Sequence, residues 1–220
     1  MKINENYISI IDKLNISLAK SLDNNRKINM IAVSKRQSYS SIKKLLDLGH
    51  LCFGENQVKE ALEKWEALKR NNPKIELHLI GPLQTNKVKQ AVSLFDCIQT
   101  VDREKLALKI ADEIKITEKN ISCFIQVNTG MEDQKGGVSP SDADDFIKLC
   151  VEKYNLNIEG LMCLPPKEEE PALHFAMLNL IAKRNNLKFL SMGMSKDYET
   201  GVRFGATYVR IGEGIFGKRE

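Results

Sequence analysis

The sequence lacks several features that would assign it to a specialised class of protein. Its 220 residues contain no run of 18 apolar residues, so no segment is predicted to span a membrane. The first residues, Met1-Lys2-Ile3-Asn4-Glu5-Asn6, are polar where a signal peptide needs an apolar core, and we therefore expect a cytoplasmic protein. The formal net charge is only +4, from 33 basic and 29 acidic residues, which gives no reason to expect nucleic acid as a partner.

Cysteine and histidine are scarce and scattered. No two cysteines form a C-x-x-C pair, and their number is odd, so we expect all of them to be reduced. The histidines have no metal-ligand spacing with one another or with the cysteines, and the sequence predicts no metal site. The residues concerned are Cys52, Cys97, Cys123, Cys150, Cys163, His50, His78 and His174.

The sequence contains a regular alternation of short apolar segments and helical patterns. Ile8, Ile11, Leu18 and Leu22 recur at helical spacing and predict an opening helix over residues 4–23. Eight strand candidates follow, near residues 28–34, 51–54, 75–80, 96–100, 121–127, 157–163, 187–191 and 207–211. Three apolar stripes between them predict sheet-facing helix surfaces, namely Val58, Ala61, Leu62, Trp65 and Leu68; Phe146, Ile147, Cys150 and Val151; and Leu173, Met177, Leu180 and Ile181.

This alternation predicts an α/β protein with a parallel sheet covered by helices. Eight strands can close a barrel, although strand count alone leaves an open, doubly wound sheet possible. The unit length of about 25 residues is close to that of a (β/α)8 TIM barrel and favours the barrel. We expect residues 1–220 to form a single barrel domain that begins with the N-terminal helix.

Lys35 follows the first apolar segment directly and is the most suggestive single residue. In a (β/α)8 barrel the functional groups lie at the carboxyl ends of the strands, which is where Lys35 is expected. A lysine that is partly desolvated or near another cation can act as a neutral amine and form a Schiff base with an aldehyde. The alternative is a surface lysine that happens to follow a strand, and the residue alone does not decide between them.

The ends of the last two strands indicate an anion site. Small residues before a helix, as in Gly193-Met194-Ser195, present backbone N–H groups to a phosphate, and Gly212 and Gly214 allow close approach of the backbone. Ser195 alone could equally be the N-cap of a helix that begins near Lys196. Barrels frequently bind phosphate at the seventh and eighth strand ends. A phosphate there and a lysine on the first strand suggest a phosphorylated aldehyde such as pyridoxal 5′-phosphate.

The segment Gly212-Glu213-Gly214-Ile215-Phe216-Gly217 fits the G-x-G-x-x-G pattern of dinucleotide-binding proteins. That pattern requires a following helix and an acidic residue about twenty positions further on. The sequence ends at Glu220 and offers neither, so we reject this interpretation.

Motifs in order along residues 31–217 resemble those of the pyridoxal phosphate homeostasis proteins. They are Ala32-Val33-Ser34-Lys35, Phe53-Gly54-Glu55-Asn56, His78-Leu79-Ile80-Gly81-Pro82-Leu83-Gln84-Thr85-Asn86-Lys87, Val101-Asp102, Gln126-Val127-Asn128 with Lys135-Gly136, Gly160-Leu161-Met162, Leu190-Ser191-Met192-Gly193-Met194-Ser195 with Asp197, and Val209-Arg210-Ile211-Gly212 with Ile215-Phe216-Gly217. The resemblance implies a barrel similar to the N-terminal domain of alanine racemase.

The same resemblance implies roles for individual residues. Lys35 corresponds to the Schiff-base lysine, and Arg210 to the residue that faces the pyridine nitrogen and keeps it unprotonated. Asn56 and His78 correspond to positions that line the cofactor pocket, although a lone histidine is more often a satisfied core residue. The phosphate would be held by Ser195 with the backbone of Met194, Gly212 and Glu213.

Two features depart from the family pattern. Glu213 stands where relatives usually carry Ser or Thr, so its carboxylate should point away from the phosphate while its backbone N–H still donates. The segment after Leu164-Pro165-Pro166 is short and leads through Lys167-Glu168-Glu169-Glu170 into the next helix.

The resemblance implies a non-catalytic pyridoxal phosphate carrier that acts in vitamin B6 homeostasis and supplies apo enzymes, and we expect a monomer. The alternative is an amino-acid racemase, which needs an acid/base on each face of the substrate, of which Lys35 supplies one. The candidate tyrosines Tyr39, Tyr198 and Tyr208 lie near site segments, and the barrel leaves no residues for a second domain.

Overall fold

The protein, described here over residues 2–217 from a computed structural model, folds as a closed barrel of eight parallel strands with β1 to β8 in sequence order. The strands are β1 Asn29–Val33, β2 Cys52–Glu55, β3 Glu76–Leu79, β4 Cys97–Val101, β5 Ser122–Val127, β6 Ile158–Cys163, β7 Phe189–Met194 and β8 Tyr208–Ile211. All eight predicted strands are present, with ends shifted by at most a few residues.

Helices connect the strands and cover the outside of the barrel. They are α1 Lys2–Ala19, α2 Tyr39–Asp47, α3 Val58–Asn71, α4 Val88–Leu94, α5 Glu104–Thr117, α6 Ala143–Lys148, α7 Pro171–Arg184, α8 Tyr198–Arg203 and α9 Glu213–Phe216. A 3₁₀ turn over Thr85–Lys87 precedes α4, and a π-helical segment over Leu149–Lys153 follows α6. No helix within residues 2–217 combines the length and the apolar composition that crossing a bilayer requires.

Pairing of the first strand with the last one closes the sheet. β1 pairs with β8 from Asn29 opposite Tyr208 to Ala32 opposite Ile211. The predicted barrel is therefore confirmed, and the open, doubly wound alternative is wrong because an open sheet leaves both edge strands unpaired.

Alternation along each strand separates two hydrophobic regions. Ile31, Cys97, Phe124, Met162 and Tyr208 come from five different strands and pack together, which is possible only inside the barrel. The larger cluster lies between the sheet and the helices and includes fully buried Trp65 and Phe175. Side chains of one parity along a strand therefore point into the barrel, and those of the other parity point to the helices.

Three predictions about helices were wrong. Helix α1 ends at Ala19 and not near residue 23, and Leu22 is fully exposed beyond it. On α7, Leu173 and Leu180 are 70% and 64% exposed, and the buried face instead carries Phe175 and Leu178 among others. Apolar residues occur all round α7, so their spacing alone did not identify the inward face. Val151 was also assigned to a buried face, but it is 44% exposed.

Candidate functional site

The carboxyl end of β1 is anchored from the helix side of the sheet. The hydroxyl of Ser34 donates to Oε1 of Glu55 at 2.7 Å, and the indole N–H of Trp65 donates to the same oxygen at 2.9 Å. The ammonium of Lys64 donates to Oε1 of Glu55 at 2.9 Å and to the backbone oxygen of Ser34 at 2.7 Å. Because Glu55 is fully buried, this network rigidly holds the backbone immediately before Lys35.

Lys35 is partly buried just beyond β1. Ile31 points into the barrel, and alternation assigns the same face to Val33 and then to Lys35. Gly212, beyond β8, lies against this end of β1, since a Cβ built on it would be 3.4 Å from Cβ of Val33. The structure thus brings the lysine end of β1 next to the segment that follows β8.

Arg210 lies in the adjacent strand, points into the barrel and is buried. Its Nη1 donates to Oγ of Ser191 at 2.7 Å, and its Nη2 donates to the backbone oxygen of Cys163 at 2.8 Å. Burial lowers the pKa of the guanidinium, which nevertheless stays charged. Within residues 2–217, no carboxylate forms an ion pair with Arg210. A buried cation with neutral partners is costly, and it favours an electron-rich ligand.

The predicted anion cradle is formed by the segments after β7 and β8, which contact each other. The backbone N–H of Gly214 donates to Oγ of Ser195 at 3.2 Å. Gly193 has a φ of +92°, and a Cβ there would lie 2.8 Å from Cα of Tyr198, so glycine is required. The N–H of Met194, expected to face a phosphate, donates instead to Oδ1 of Asp197 at 2.6 Å.

The helix after this cradle differs from the expectation. It begins at Tyr198 with Asp197 as its N-cap residue, and it does not begin near Lys196 with Ser195 as the cap. The hydroxyl of Ser195 is therefore a side-chain contact to the segment after β8 and not a helix cap. Glu213 is exposed and is the first residue of α9.

The remaining predicted pocket residues lie on neighbouring strands. Asn56 follows β2 and is partly buried, and its backbone packs so closely on Gly81 that a Cβ at Gly81 would be 2.2 Å from the Asn56 oxygen. His78 is almost fully buried inside the barrel, where its Nδ1 lies 2.9 Å from Nε2 of Gln99 and its Nε2 lies 2.8 Å from Oε1 of Glu76. It is one layer below the strand ends, because it pairs with Gly54, which in turn pairs with Val33.

Contacts between successive loops link the carboxyl ends of the other strands. The hydroxyl of Thr100 donates to the Gly81 oxygen at 2.8 Å, joining β4 to the loop after β3. The ammonium of Lys135 donates to the oxygens of Leu164 and Pro165 at 3.3 and 3.0 Å, joining the loops after β5 and β6. The short segment after β6 is thereby held in place.

The sequence did not predict several contacts at this site. Ser34, Glu55, Lys64 and Trp65 meet because β1 pairs with β2 and α3 packs over the ends of these strands, which the sequence pattern did not indicate. Ser191 and Gln99 were read as strand residues, yet Ser191 donates to Oε1 of Gln99 at 2.6 Å inside the barrel.

A second cluster also went unpredicted, at the amino ends of the strands. Ligand atoms of Cys52, Glu76 and His78 lie within 4.8 Å of one another, because β2 and β3 pair with Cys52 opposite Glu76. Cys52 and Glu76 line a cavity of about 690 Å³ there, at the end of the barrel opposite Lys35. Strand pairing forms this cluster, so the spacing of these residues along the sequence could not predict it.

The carboxyl end of the barrel therefore combines an amine, a buried guanidinium, a hydroxyl and glycine-rich backbone. An aldehyde could react with the amine, an electron-rich ring atom could accept from the guanidinium, and an anion could bind the glycine-rich segments.

The sequence matches the family model described as "Alanine racemase, N-terminal domain" over residues 14–220. It is 32% identical to the pyridoxal phosphate homeostasis protein of Pasteurella multocida over 230 residues, which cover 100% of this chain and 99% of that protein. It is 37% identical to the protein of the same name from Aquifex aeolicus over 204 residues, 87% of each.

Solved structures give the same relationship. PipY of Synechococcus elongatus, with PLP bound, is 29% identical, has a TM-score of 0.78 and is matched over 93% of this chain and 100% of its own. Alanine racemase of Clostridium difficile is only 15% identical, with a TM-score of 0.70 and 57% of its chain matched, and it shares the fold of this barrel.

Proposed function

Since this chain belongs to the pyridoxal phosphate homeostasis protein family, we propose that it binds pyridoxal 5′-phosphate at the carboxyl end of its barrel and acts in the homeostasis and supply of this cofactor. The observation that carries the proposal is the buried guanidinium of Arg210, which lies at the lysine end of the barrel among neutral partners. The PLP bound to the similar PipY supports it.

The residues present suit each part of this cofactor. Lys35 would hold its aldehyde carbon covalently, and Arg210 would face its ring nitrogen. Asn56 and His78 would line the pocket. The phosphate would bind at Ser195 and at the backbone of Met194, Gly212 and Glu213, for which the N–H of Met194 must leave Asp197. The segments after β7 and β8 that would bind this anion contact each other through the N–H of Gly214 and the hydroxyl of Ser195.

Bound pyridoxal phosphate supplies an electrophilic carbon and an electron-withdrawing ring. Arg210 limits the second property, because a charged donor beside the ring nitrogen disfavours protonation of that nitrogen. Ser34 and Glu55 hold the backbone that carries Lys35, and Ser195, whose hydroxyl accepts from Gly214, would orient the phosphate end. These residues bind and orient the cofactor without providing a second acid/base.

A carrier without turnover is therefore the function we favour over a racemase. Among the candidate tyrosines, Tyr39 is 58% exposed at the start of α2. Tyr198 and Tyr208 are buried, which raises the pKa of both hydroxyls and keeps them protonated, so neither is available to accept a proton. Tyr208 also pairs with Asn29 at the amino end of the barrel, far along the strand from Lys35.

The proposal also covers the oligomeric state, the location and the partners of the protein. We propose that the protein acts as a monomeric, single-domain carrier in the cytoplasm and that apo enzymes dependent on pyridoxal phosphate receive its cofactor.

Borohydride reduction followed by peptide mapping tests attachment. We expect the reduced cofactor on Lys35 in the wild-type protein and no fixed label in Lys35→Ala. The matched control is Lys43→Ala, which changes an exposed lysine on α2 and should label like wild type. Label found chiefly on Lys64, whose ammonium donates to the Ser34 oxygen, would contradict the assignment.

Incubation of the loaded protein with L-alanine in deuterated water separates carrier from racemase. A carrier should reactivate an apo-transaminase while the enantiomer ratio stays unchanged. Deuterium incorporation with inversion at roughly 1 to 1,000 per second, the range of ordinary enzymes, would make the protein a racemase.

A further inference from the structure

A continuous row of hydrogen bonds runs through the barrel interior from Arg210 to Glu76. Arg210 Nη1 lies 2.7 Å from Oγ of Ser191, which lies 2.6 Å from Oε1 of Gln99. Nε2 of Gln99 lies 2.9 Å from Nδ1 of His78, whose Nε2 lies 2.8 Å from Oε1 of Glu76. Ser191 and Gln99 are fully buried and His78 is 1% exposed, whereas the side chain of Glu76 is 48% exposed.

The two ends of this row, together with the orientation of the Gln99 amide, determine the direction of every hydrogen bond in it. A guanidinium can only donate and a carboxylate can only accept, while hydroxyl, amide and imidazole can do both. Ser191 must accept from Arg210 and donate to Gln99, whose amide nitrogen donates to His78. The remaining ring proton of His78 is therefore on Nε2 and is donated to Glu76.

The direction of the hydrogen bonds also determines whether the cluster of Cys52, Glu76 and His78 can bind a metal ion. The nitrogen of His78 that faces the other two residues carries a proton, so it has no lone pair for a cation. A metal ion at this position would require the hydrogen bonds of Gln99 and Ser191 to reverse. The cluster is therefore better described as the acidic end of the row.

We propose, on the basis of the cofactor site proposed above, that Glu76 is a positioning residue for Arg210. Hydrogen bonds aligned in one direction polarise one another, so the anion at the far end of the row can influence the guanidinium. Among residues 2–217, no carboxylate forms an ion pair with Arg210, although the charge of Asp197 also acts on it. Through His78, Gln99 and Ser191, Glu76 orients Arg210 and sets how strongly it donates to the ring nitrogen. A residue at the amino end of the barrel thereby tunes a cofactor bound at the carboxyl end.

The test compares two carboxylates at the same end of the barrel. Glu76→Gln removes the charge at the end of the row, and Glu159→Gln removes a charge of β6 that is outside it. Both carboxylates raise the pKa of Tyr208 through their charge, Glu76 more strongly than Glu159, so Glu159→Gln controls for the loss of a charge near this end of the barrel. The readouts are the absorption spectrum of the bound cofactor and the ¹⁵N chemical shift of its labelled ring nitrogen.

We expect Glu76→Gln to shift both readouts in the direction of Arg210→Lys, and Glu159→Gln to leave them at wild-type values. In a Ser191→Ala background, where the row is cut beside Arg210, Glu76→Gln should cause no further shift. Equal shifts in the two glutamate variants, no shift in Glu76→Gln, or an undiminished shift in the Ser191→Ala background would overturn the proposal.

Borohydride mapping of the same samples keeps this test apart from the proposed function. Label on Lys35 together with an unshifted Glu76→Gln spectrum would reject only the role of Glu76. Absence of label on Lys35 in the wild-type protein would reject the cofactor site itself.

Discussion

The hydroxyl of Ser34 donates a 2.7 Å hydrogen bond to the buried carboxylate of Glu55. Lys35 follows Ser34 directly. Ser34 lies on the helix side of β1 and anchors Lys35, which is expected to react on the inner side. The strand end is thereby held by a charge network on the side of the sheet opposite the expected amine. Ser34 and Glu55 therefore stabilise the strand end, while the proposed chemistry belongs to Lys35.

Glu55→Gln should destabilise the fold strongly, because it leaves Lys64 inside the structure without its buried partner. Breaking such a pair costs about 3 to 5 kcal/mol, and we expect about 3 kcal/mol since Glu60 still pairs with Lys64. Urea unfolding measures the loss. Asp47→Asn is the control, because its pair with Lys43 is exposed and contributes roughly 0 to 1 kcal/mol. Equal losses in both variants would contradict the role of the network.

Ser195→Ala should weaken cofactor binding by about 1 to 2 kcal/mol, since it removes one hydroxyl and leaves the backbone donors. That corresponds to roughly 5- to 30-fold in Kd by equilibrium dialysis. Ser93→Ala, which removes an exposed hydroxyl on α4, should bind like wild type. An unchanged Kd for Ser195→Ala would remove this side chain from the phosphate site.

Gly160→Ala should destabilise the barrel by about 3 kcal/mol, the upper part of the range for overpacking. Its Cβ would be 2.2 Å from the backbone oxygen of Phe189 and 2.7 Å from the ring of Phe124, and neither can move freely. Gly49→Ala tests backbone conformation without crowding, because its φ is +80° and no atom lies within 4 Å. That variant should lose only about 1 to 2 kcal/mol in thermal unfolding. A smaller loss at Gly160 than at Gly49 would contradict this account.

The free energy of unfolding should decrease as the pH falls below about 6.5, the ordinary pKa of histidine. Burial lowers the pKa of His50 in the folded protein, so the unfolded chain takes up a proton first and is stabilised by acid. The contribution is present above this pH and is lost as the pH falls through the folded pKa. His50→Gln, which can still donate to the Cys52 oxygen, should show a smaller decrease between pH 7.5 and 5.5. Identical slopes would mean that His50 is not responsible.

Most of the architecture could be predicted, because apolar strands and amphipathic helices repeat with a regular period. The orientation of α7 could not, since Leu173 and Leu178 are equally apolar and only packing buries one of them. The beginning of α8 was misjudged because Ser195 and Asp197 are both good capping residues.

The site was only partly predictable. Lys35, Ser195 and Arg210 could be identified as site residues from their positions at strand ends and from the family motifs. Their roles stay predictions. The partners of Arg210 could not be predicted, because Ser191 and Gln99 come from β7 and β4 and meet only across the closed barrel. Such contacts depend on the register between strands that are distant in sequence, and local sequence patterns do not specify that register.

Closure of β1 on β8 has a consequence for how the chain avoids aggregation. The seam joins residues about 180 positions apart, from Asn29 with Tyr208 to Ala32 with Ile211, so it depends on non-local contacts that form slowly. Before it forms, both seam strands present unpaired backbone groups that could recruit a second chain. Afterwards the sheet has no edge, and intermolecular strand addition first requires the seam to open. Mutations at seam residues outside the proposed cofactor site, such as Ala32, should therefore affect the yield of folded protein more than its cofactor affinity, whereas mutation of Arg210 should affect both.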